Sequence, residues 1–208
     1  VRKAVLETAK LLEAMGHEVT PALPRADVLG MMRAWTDIVA VGTALGIRHA
    51  LDGRPMTDDL VEGVSRGACA HAETLHPTRY LEAVGKIHAF GREMARFFEP
   101  ESGPGYDVLL SATLAEPPAR VGRFSHATED YVAFRTGKQG IFAYSPFCAV
   151  FNASGQPAAS LPLGWSDGGL PIGVHLAAPF GADEMLISLC AEIELALPWA
   201  AKRAPIAG

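Results

Sequence analysis

The chain is poor in the features that most directly announce a function. Its three cysteines, Cys69, Cys148 and Cys190, lie far apart without metal-type spacing, so neither a zinc knuckle nor a disulfide scaffold is indicated, and reduced thiols in a cytoplasmic protein are expected. No uninterrupted apolar run approaches the roughly 18 residues of a transmembrane helix, and no membrane association is expected. The net charge of −5 provides no global field for nucleic acid or an anionic membrane. No phosphate-binding glycine loop, basic patch interleaved with aromatics, internal repeat or low-complexity tract occurs. What remains is ordinary globular composition. The 208 residues are 49% hydrophobic and 20% charged, enough to bury a sizeable core as one large domain or two small ones. The opening Val1-Arg2-Lys3-Ala4-Val5 begins an amphipathic pattern and is not a signal peptide. A start on valine inside a helical pattern suggests a processed or truncated product, with loss of an initiator methionine as the alternative.

Periodicity places Ala4, Val5, Leu11, Leu12 and Met15 on one helical stripe, with Gly16 as its C-terminal cap. His17 to Leu23 alternates loosely, as a short strand would. Asp27 is positioned to cap a helix running to about Arg48, ahead of an Asp52-Gly53-Arg54-Pro55 turn. Thr57 opens a helical stretch through about Leu75. Pro77 and Thr78 introduce the next, with Leu81, Val84, His88 and Phe98 toward its buried side. After the loop Glu101-Ser102-Gly103-Pro104-Gly105, Tyr106 to Leu110 reads as a buried strand. A short helix is expected over Glu129 to Arg135. Another begins at Ser145 with Pro146 at its first position and stops near Gly155. Pro157 to Gly164 and Ile172 to Ala178 form a hairpin across Ser166-Asp167-Gly168-Gly169. Asp183 caps a last helix with Met185, Leu186, Leu189, Ile193 and Leu197 on one face. The pattern predicts an α/β fold, a mixed β-sheet covered by helices. Residues 1–100 form a mostly helical part and 101–208 a sheet-containing segment, together one continuous incomplete domain.

Two local motifs suggest chemistry and are better read structurally. Gly164-Trp165-Ser166-Asp167-Gly168 matches G-x-S-x-G, but a nucleophile elbow needs a helix after its strand. Here Gly169-Leu170-Pro171 and a second strand pattern follow, so Ser166 belongs to a hairpin turn. His71, Glu73 and His76 resemble a metal cluster, yet a spacing of five turns the two imidazoles apart on a helix. Solvated or hydrogen-bonded histidines are expected, and no metal. His17, His49, His88, His126 and His175 have no partner that spacing assigns. A serine–histidine site assembled over long range stays open.

From Phe151 onward the chain resembles the amidase-signature family. Phe151-Asn152-Ala153-Ser154-Gly155-Gln156-Pro157-Ala158-Ala159-Ser160-Leu161-Pro162 is similar to that family's F-N-x-[ST]-G-x-P-A-x-S-[LV]-P. Gly168-Gly169-Leu170-Pro171-Ile172-Gly173-Val174-His175-Leu176 is similar to D-G-L-P-[IV]-G-[LV]-Q-[LF], with histidine at the glutamine position. Ala178-Pro179-Phe180-Gly181-Ala182-Asp183-Glu184 follows. Upstream, Tyr106-Asp107-Val108-Leu109-Leu110-Ser111-Ala112-Thr113 resembles Y-D-[VL]-L-L-x-P-T, with alanine for proline. Within the family the chain is closest in tone to bacterial amidases that include 6-aminohexanoate cyclic-dimer hydrolases.

The resemblance implies the C-terminal part of a hydrolase that cleaves carboxamide C–N bonds through a Ser–cis-Ser–Lys triad and an acyl-enzyme, without a cofactor. Those elements belong to the N-terminal half of the family's enzymes. This sequence has no Gly-Gly-Ser-Ser-Gly-Gly-like loop, and none of Lys3, Lys10, Lys86, Lys138 and Lys202 matches the triad lysine, so no catalytic residue is carried over. The fragment is expected to be inactive by itself and to lack the N-terminal half as a partner. Phe147, Cys148, Phe151 and Asn152 are expected to bind or support a small amide substrate, with core packing an equal alternative, and Trp35 is a further candidate at the entrance. Cut sheet edges and apolar surface point to a homo-oligomer. Two other readings stand beside this one, a non-catalytic ligand- or partner-binding remnant and an independent hydrolase using Ser166.

Overall fold

Helix α1 (Arg2–Ala14) turns Ala4, Thr8 and Leu12 inward, one residue per turn. The polar member of that stripe is satisfied locally, because Thr8 Oγ1 donates to the Ala4 carbonyl at 2.9 Å. Beyond the helix, Gly16 adopts φ +98°, so that its own N–H reaches the Glu13 carbonyl and that of His17 the Leu12 carbonyl, both at 3.0 Å. These features come from a computed structural model that describes residues 1–202, and the end of the expected C-terminal segment, 203–208, lies outside the described residues. His17–Leu23 forms no strand, contrary to the alternation. A strand requires a ladder partner, and Pro21 removes a donor from this stretch while Pro24 follows directly after it.

Helix α2 (Val28–Leu51) begins as expected, with the Asp27 carboxylate accepting from Gly30 N–H at 2.8 Å. It is long and apolar enough, by length and composition, to cross a membrane. Here it buries Met31, Met32, Ala34, Thr36, Asp37 and Ala40 among the neighbouring helices. Helix α3 (Gly63–Thr74) starts well after Thr57. Its position is set by Gly63 and Gly67, where a Cβ would come 2.4 Å from the Ala127 carbonyl oxygen and 2.1 Å from that of Glu129. Helix α4 (Pro77–Phe98) has proline in its first turn and the His76 ring accepting from Thr78 N–H at 3.3 Å. Its buried residues are Ala83, Phe90, Met94, Phe97 and Phe98, whereas Leu81 and His88 point outward. The inward stripe runs through Phe90, Met94 and Phe97, and Leu81 and His88 lie off it.

Strand β1 (Leu109–Ala112) follows, then three short helices, α5 (Tyr131–Thr136), α6 (Ile141–Tyr144) and α7 (Cys148–Ser154). The hairpin β2 (Ala158–Trp165) and β3 (Pro171–Ala177) and helix α8 (Asp183–Ala196) complete the described residues. Strand order is β1-β3-β2, and both pairings are antiparallel. The sheet of the described residues is therefore not mixed. The tight turn makes β2 and β3 antiparallel, and the long excursion through α5–α7 lets β1 occupy the other edge of β3, also antiparallel to it.

One face of the sheet carries Leu161, Leu163, Ile172, Val174 and Leu176 and packs under α1 and α8. An extra residue on β2 between Leu161 and Gly164 bends that strand. Gly164 then lies so close to α1 that a Cβ would come 2.5 Å from the Ala4 Cβ. On α8, Leu186 and Ile193 face the sheet, two turns apart, while Met185 and Leu197 are exposed. Asp183 sits in the first turn of α8 rather than capping it by a side-chain hydrogen bond, and the N-cap residue is Ala182.

Candidate functional site

The other sheet face is small and polar where α7 leaves it uncovered. Alternation along the strands brings Ser111 of β1, His175 of β3 and Ser160 of β2 into one transverse row, since both serines pair with His175 in register. The Thr113 and Ser160 hydroxyls meet at 2.6 Å. Gly173 makes their meeting possible, because a Cβ there would come 2.6 Å from Thr113 Oγ1 and 2.7 Å from Ser160 Oγ. Ser111 Oγ lies 3.5 Å from His175 Nδ1. Burial pushes the His175 pKa below the ordinary histidine value, favouring the neutral ring. A neutral imidazole near a hydroxyl is half of a nucleophilic arrangement, but no carboxylate orients this ring among the described hydrogen bonds.

Helix α7 lies over one end of this face. It starts at Cys148, later than expected, since Ser145-Pro146-Phe147 forms the link from α6 instead of a first turn. Ser145 N–H still bonds the Ile141 carbonyl at 2.7 Å, closing the preceding turn. Gly155 ends α7 in the left-handed region at φ +77°, where the sequence placed the stop. Phe147 occupies the N-cap position and is half-buried. The Cys148 thiol donates to the Thr113 carbonyl at 3.3 Å, fastening α7 to the exit of β1. Phe151 is buried among Met31, Phe90, Met94 and Phe142, with its ring centroid 5.2 Å from that of His175. Asn152, the next residue, is exposed. Trp35 of α2 is half-buried against the same cluster as Phe151. The structure thus places Phe151 and Trp35 in one apolar cluster, ties Cys148 to the Thr113 carbonyl, and leaves Asn152 exposed.

Sequence spacing missed the row itself. Its members lie on three different strands, with Ser111 far from the other two in sequence, and only the strand register joins them. One signal was available, since His175 follows Gly173 by two and so shares its face once the hairpin is fixed.

A second polar centre joins the helices. The buried Asp37 carboxylate accepts from His71 Nε2 at 2.8 Å and from Arg79 Nε at 2.9 Å. Tyr131 donates its hydroxyl to the Thr36 carbonyl at 2.9 Å, and burial is the main reason its pKa is pushed up to about 12. His71 is thus a hydrogen-bond partner of Asp37 and His76 a helix cap. No group of His, Cys, Asp and Glu able to hold a metal occurs among the described residues. Ser166 is a turn residue, with its Oγ accepting from Leu170 N–H at 3.0 Å and its carbonyl from Gly169 N–H at 2.9 Å.

A helix-covered antiparallel sheet with this Gly/Pro-punctuated hairpin matches a known family. The amidase family profile covers residues 1–187, and the chain belongs to that family. It is 33% identical over 205 residues to the 6-aminohexanoate-cyclic-dimer hydrolase of Paenarthrobacter ureafaciens, covering 94% of this chain and 40% of that protein. The enzyme of the same name from Pseudomonas sp. (strain NK87) is 32% identical over 205 residues, with the same coverage. A solved structure of 6-aminohexanoate cyclic dimer hydrolase complexed with substrate superposes with a TM-score of 0.84 at 31% identity, over 98% of this chain and 42% of that one. The α/β fold is therefore that of the amidase-signature enzymes. The chain spans about 40% of the length of the curated relatives it matches.

Proposed function

We propose that this chain is the C-terminal part of a hydrolase that cleaves carboxamide C–N bonds through a serine acyl-enzyme, with the serine and lysine of the triad supplied by polypeptide outside these 208 residues. The observation that carries the reading is a family match over residues 1–187 that nonetheless spans only about 40% of the relatives' length. The absence of a Gly/Ser-rich loop from the sequence supports it, as does the lack of a complete nucleophilic constellation among the described residues. In this reading the open part of the polar sheet face, with Phe147 and Cys148 at its border, walls the substrate pocket, and Phe151 and Trp35 hold α7 and α2 in place behind it. Asn152 contributes from the exposed side of α7. The substrate is a small linear or cyclic amide, in keeping with the 6-aminohexanoate cyclic dimer for which two relatives are named.

The test is amide hydrolysis by two proteins, this chain and the product of its native reading frame. A panel of linear and cyclic amides should be turned over by the longer product and not by this chain. Turnover by this chain alone would overturn the assignment of the nucleophile. No turnover by a longer product would favour a non-catalytic remnant. The reading also includes a cytoplasmic setting and self-association through apolar surface such as Phe180 and Leu195, which are 80% and 82% exposed. A monomer at all concentrations in sedimentation would refute the latter.

A further inference from the structure

Among the described residues only two arginine or lysine side chains, Arg66 and Arg135, are not exposed, and their surroundings differ sharply. Arg66 faces Asp58 and Glu129. Arg135 has no carboxylate partner among the described residues, although Arg79 and Arg123 nearer solvent are both paired. Its Nε donates to Thr36 Oγ1 at 3.3 Å, and its guanidinium carbon lies 4.8 Å from the Phe142 ring centroid and 5.6 Å from that of Tyr131. The aromatic rings and Thr36 fix the base of the fork. The acid closest in sequence to Thr36 is already committed, because both oxygens of Asp37 are taken by His71 and Arg79. Burial pushes the Arg135 pKa below the ordinary arginine value, so the protein holds this cation at a cost without an acid to offset it.

No fully enclosed side-chain nitrogen or oxygen among the described residues lacks a hydrogen-bond partner. Nη1 and Nη2 of Arg135 have no hydrogen-bond partner among the described residues, so neither is fully enclosed and both remain within reach of a further acceptor. They offer a planar pair of donors, pre-oriented by stacking, that matches the two oxygens of a carboxylate. Thr36, which anchors Arg135, follows Trp35 directly on α2, so the Arg135 site and the α2 candidate residue share one helix.

We propose that Arg135 is a recognition point for a carboxylate, bound end-on by Nη1 and Nη2. The carboxylate has two sources, the substrate or an Asp or Glu of the polypeptide outside this chain. The substrate arm rests on the amide-hydrolase reading, and the binding arm does not.

The binding arm follows the arginine Nε–H signals of the ¹⁵N-labelled 208-residue chain by NMR, with the Arg135 signal identified by its loss in Arg135→Lys. Sodium hexanoate should shift that signal saturably and hexan-1-ol should not. An Arg135 signal unmoved by hexanoate, or moved equally by the alcohol, overturns the proposal, except where the native product shows that signal already shifted. The second arm uses the native reading-frame product and a pair of amide substrates, one with a free terminal carboxylate and one with its methyl ester. If the carboxylate is the substrate's, Arg135→Met should raise KM about 10- to 100-fold for the acid only, as loss of a charge-assisted hydrogen bond does. If it is the protein's, the Arg135 signal of the native product should be already shifted and insensitive to hexanoate, with KM for both substrates unchanged in Arg135→Met. A native product that hydrolyses no amide defeats the functional reading, while the NMR arm still decides carboxylate binding.

Discussion

Replacing Phe151 by alanine separates packing from recognition on α7. Phe151 is only 6% exposed and is enclosed by Met31, Phe90, Met94 and Phe142. Truncating such a ring costs about 3–5 kcal/mol, through lost burial and the cavity left behind. The tilted contact with His175 at 5.2 Å contributes within that range, since such aromatic pairs are worth about 0.5–1.5 kcal/mol. Asn152, the next residue along the helix, is exposed, and its truncation should fall within about 0.5 kcal/mol of zero. Urea unfolding followed by far-ultraviolet circular dichroism reads the difference. With a slope of about 2 kcal/mol per molar, Phe151→Ala should lower the midpoint by about 2 M and Asn152→Ala by less than about 0.3 M. Equal midpoints for the two variants would refute the placement of Phe151 in the core. They would also return it to the surface of the pocket.

Three further outcomes follow from the geometry. Gly164→Ala should destabilise by about 1–3 kcal/mol in thermal unfolding, because its Cβ would overlap Ala4, whereas Gly168→Ala, whose nearest neighbour would be Ser166 Oγ at 3.8 Å, should change little. Stability should fall as pH drops below the ordinary histidine value of about 6.5, where the unfolded chain takes up a proton that buried His175 resists. His175→Gln should flatten that acid limb in denaturation series across pH. Asp27→Ala should cost about 0.5–2 kcal/mol by removing the acceptor for Gly30 N–H, and Asp27→Ser should restore most of it.

Local chemistry made some elements legible and hid others. The β2–β3 hairpin could be read because Gly168-Gly169 stands between two apolar alternations, and Gly169 takes φ +75° as the turn requires. Asp27, Pro77 and Gly155 likewise mark ends that depend only on adjacent residues. The start of α3 was not legible, because it is set by Gly63 and Gly67 closing on residues 127–129, a contact spanning some sixty positions. The same holds for Pro146, whose helix-starting chemistry is overridden by the turn that ends α6. At the site, Phe151 and Trp35 were candidates through the resemblance, and both pack in one apolar cluster, as core residues do. The row of Ser111, His175 and Ser160 needed the strand register, and Arg135 was legible only as the end of a short helix until its missing acid became visible.

The central proposal, that the nucleophile of the parent hydrolase lies outside these residues, is tested most directly by covalent labelling. The product of the native reading frame and this chain would each be treated with a fluorophosphonate and digested, and the adduct located by peptide mass spectrometry. The account predicts a single modified serine in the longer product, at a position preceding Val1, and no adduct on this chain. A stoichiometric adduct on Ser166, Ser111 or any other serine of the 208 residues would contradict it.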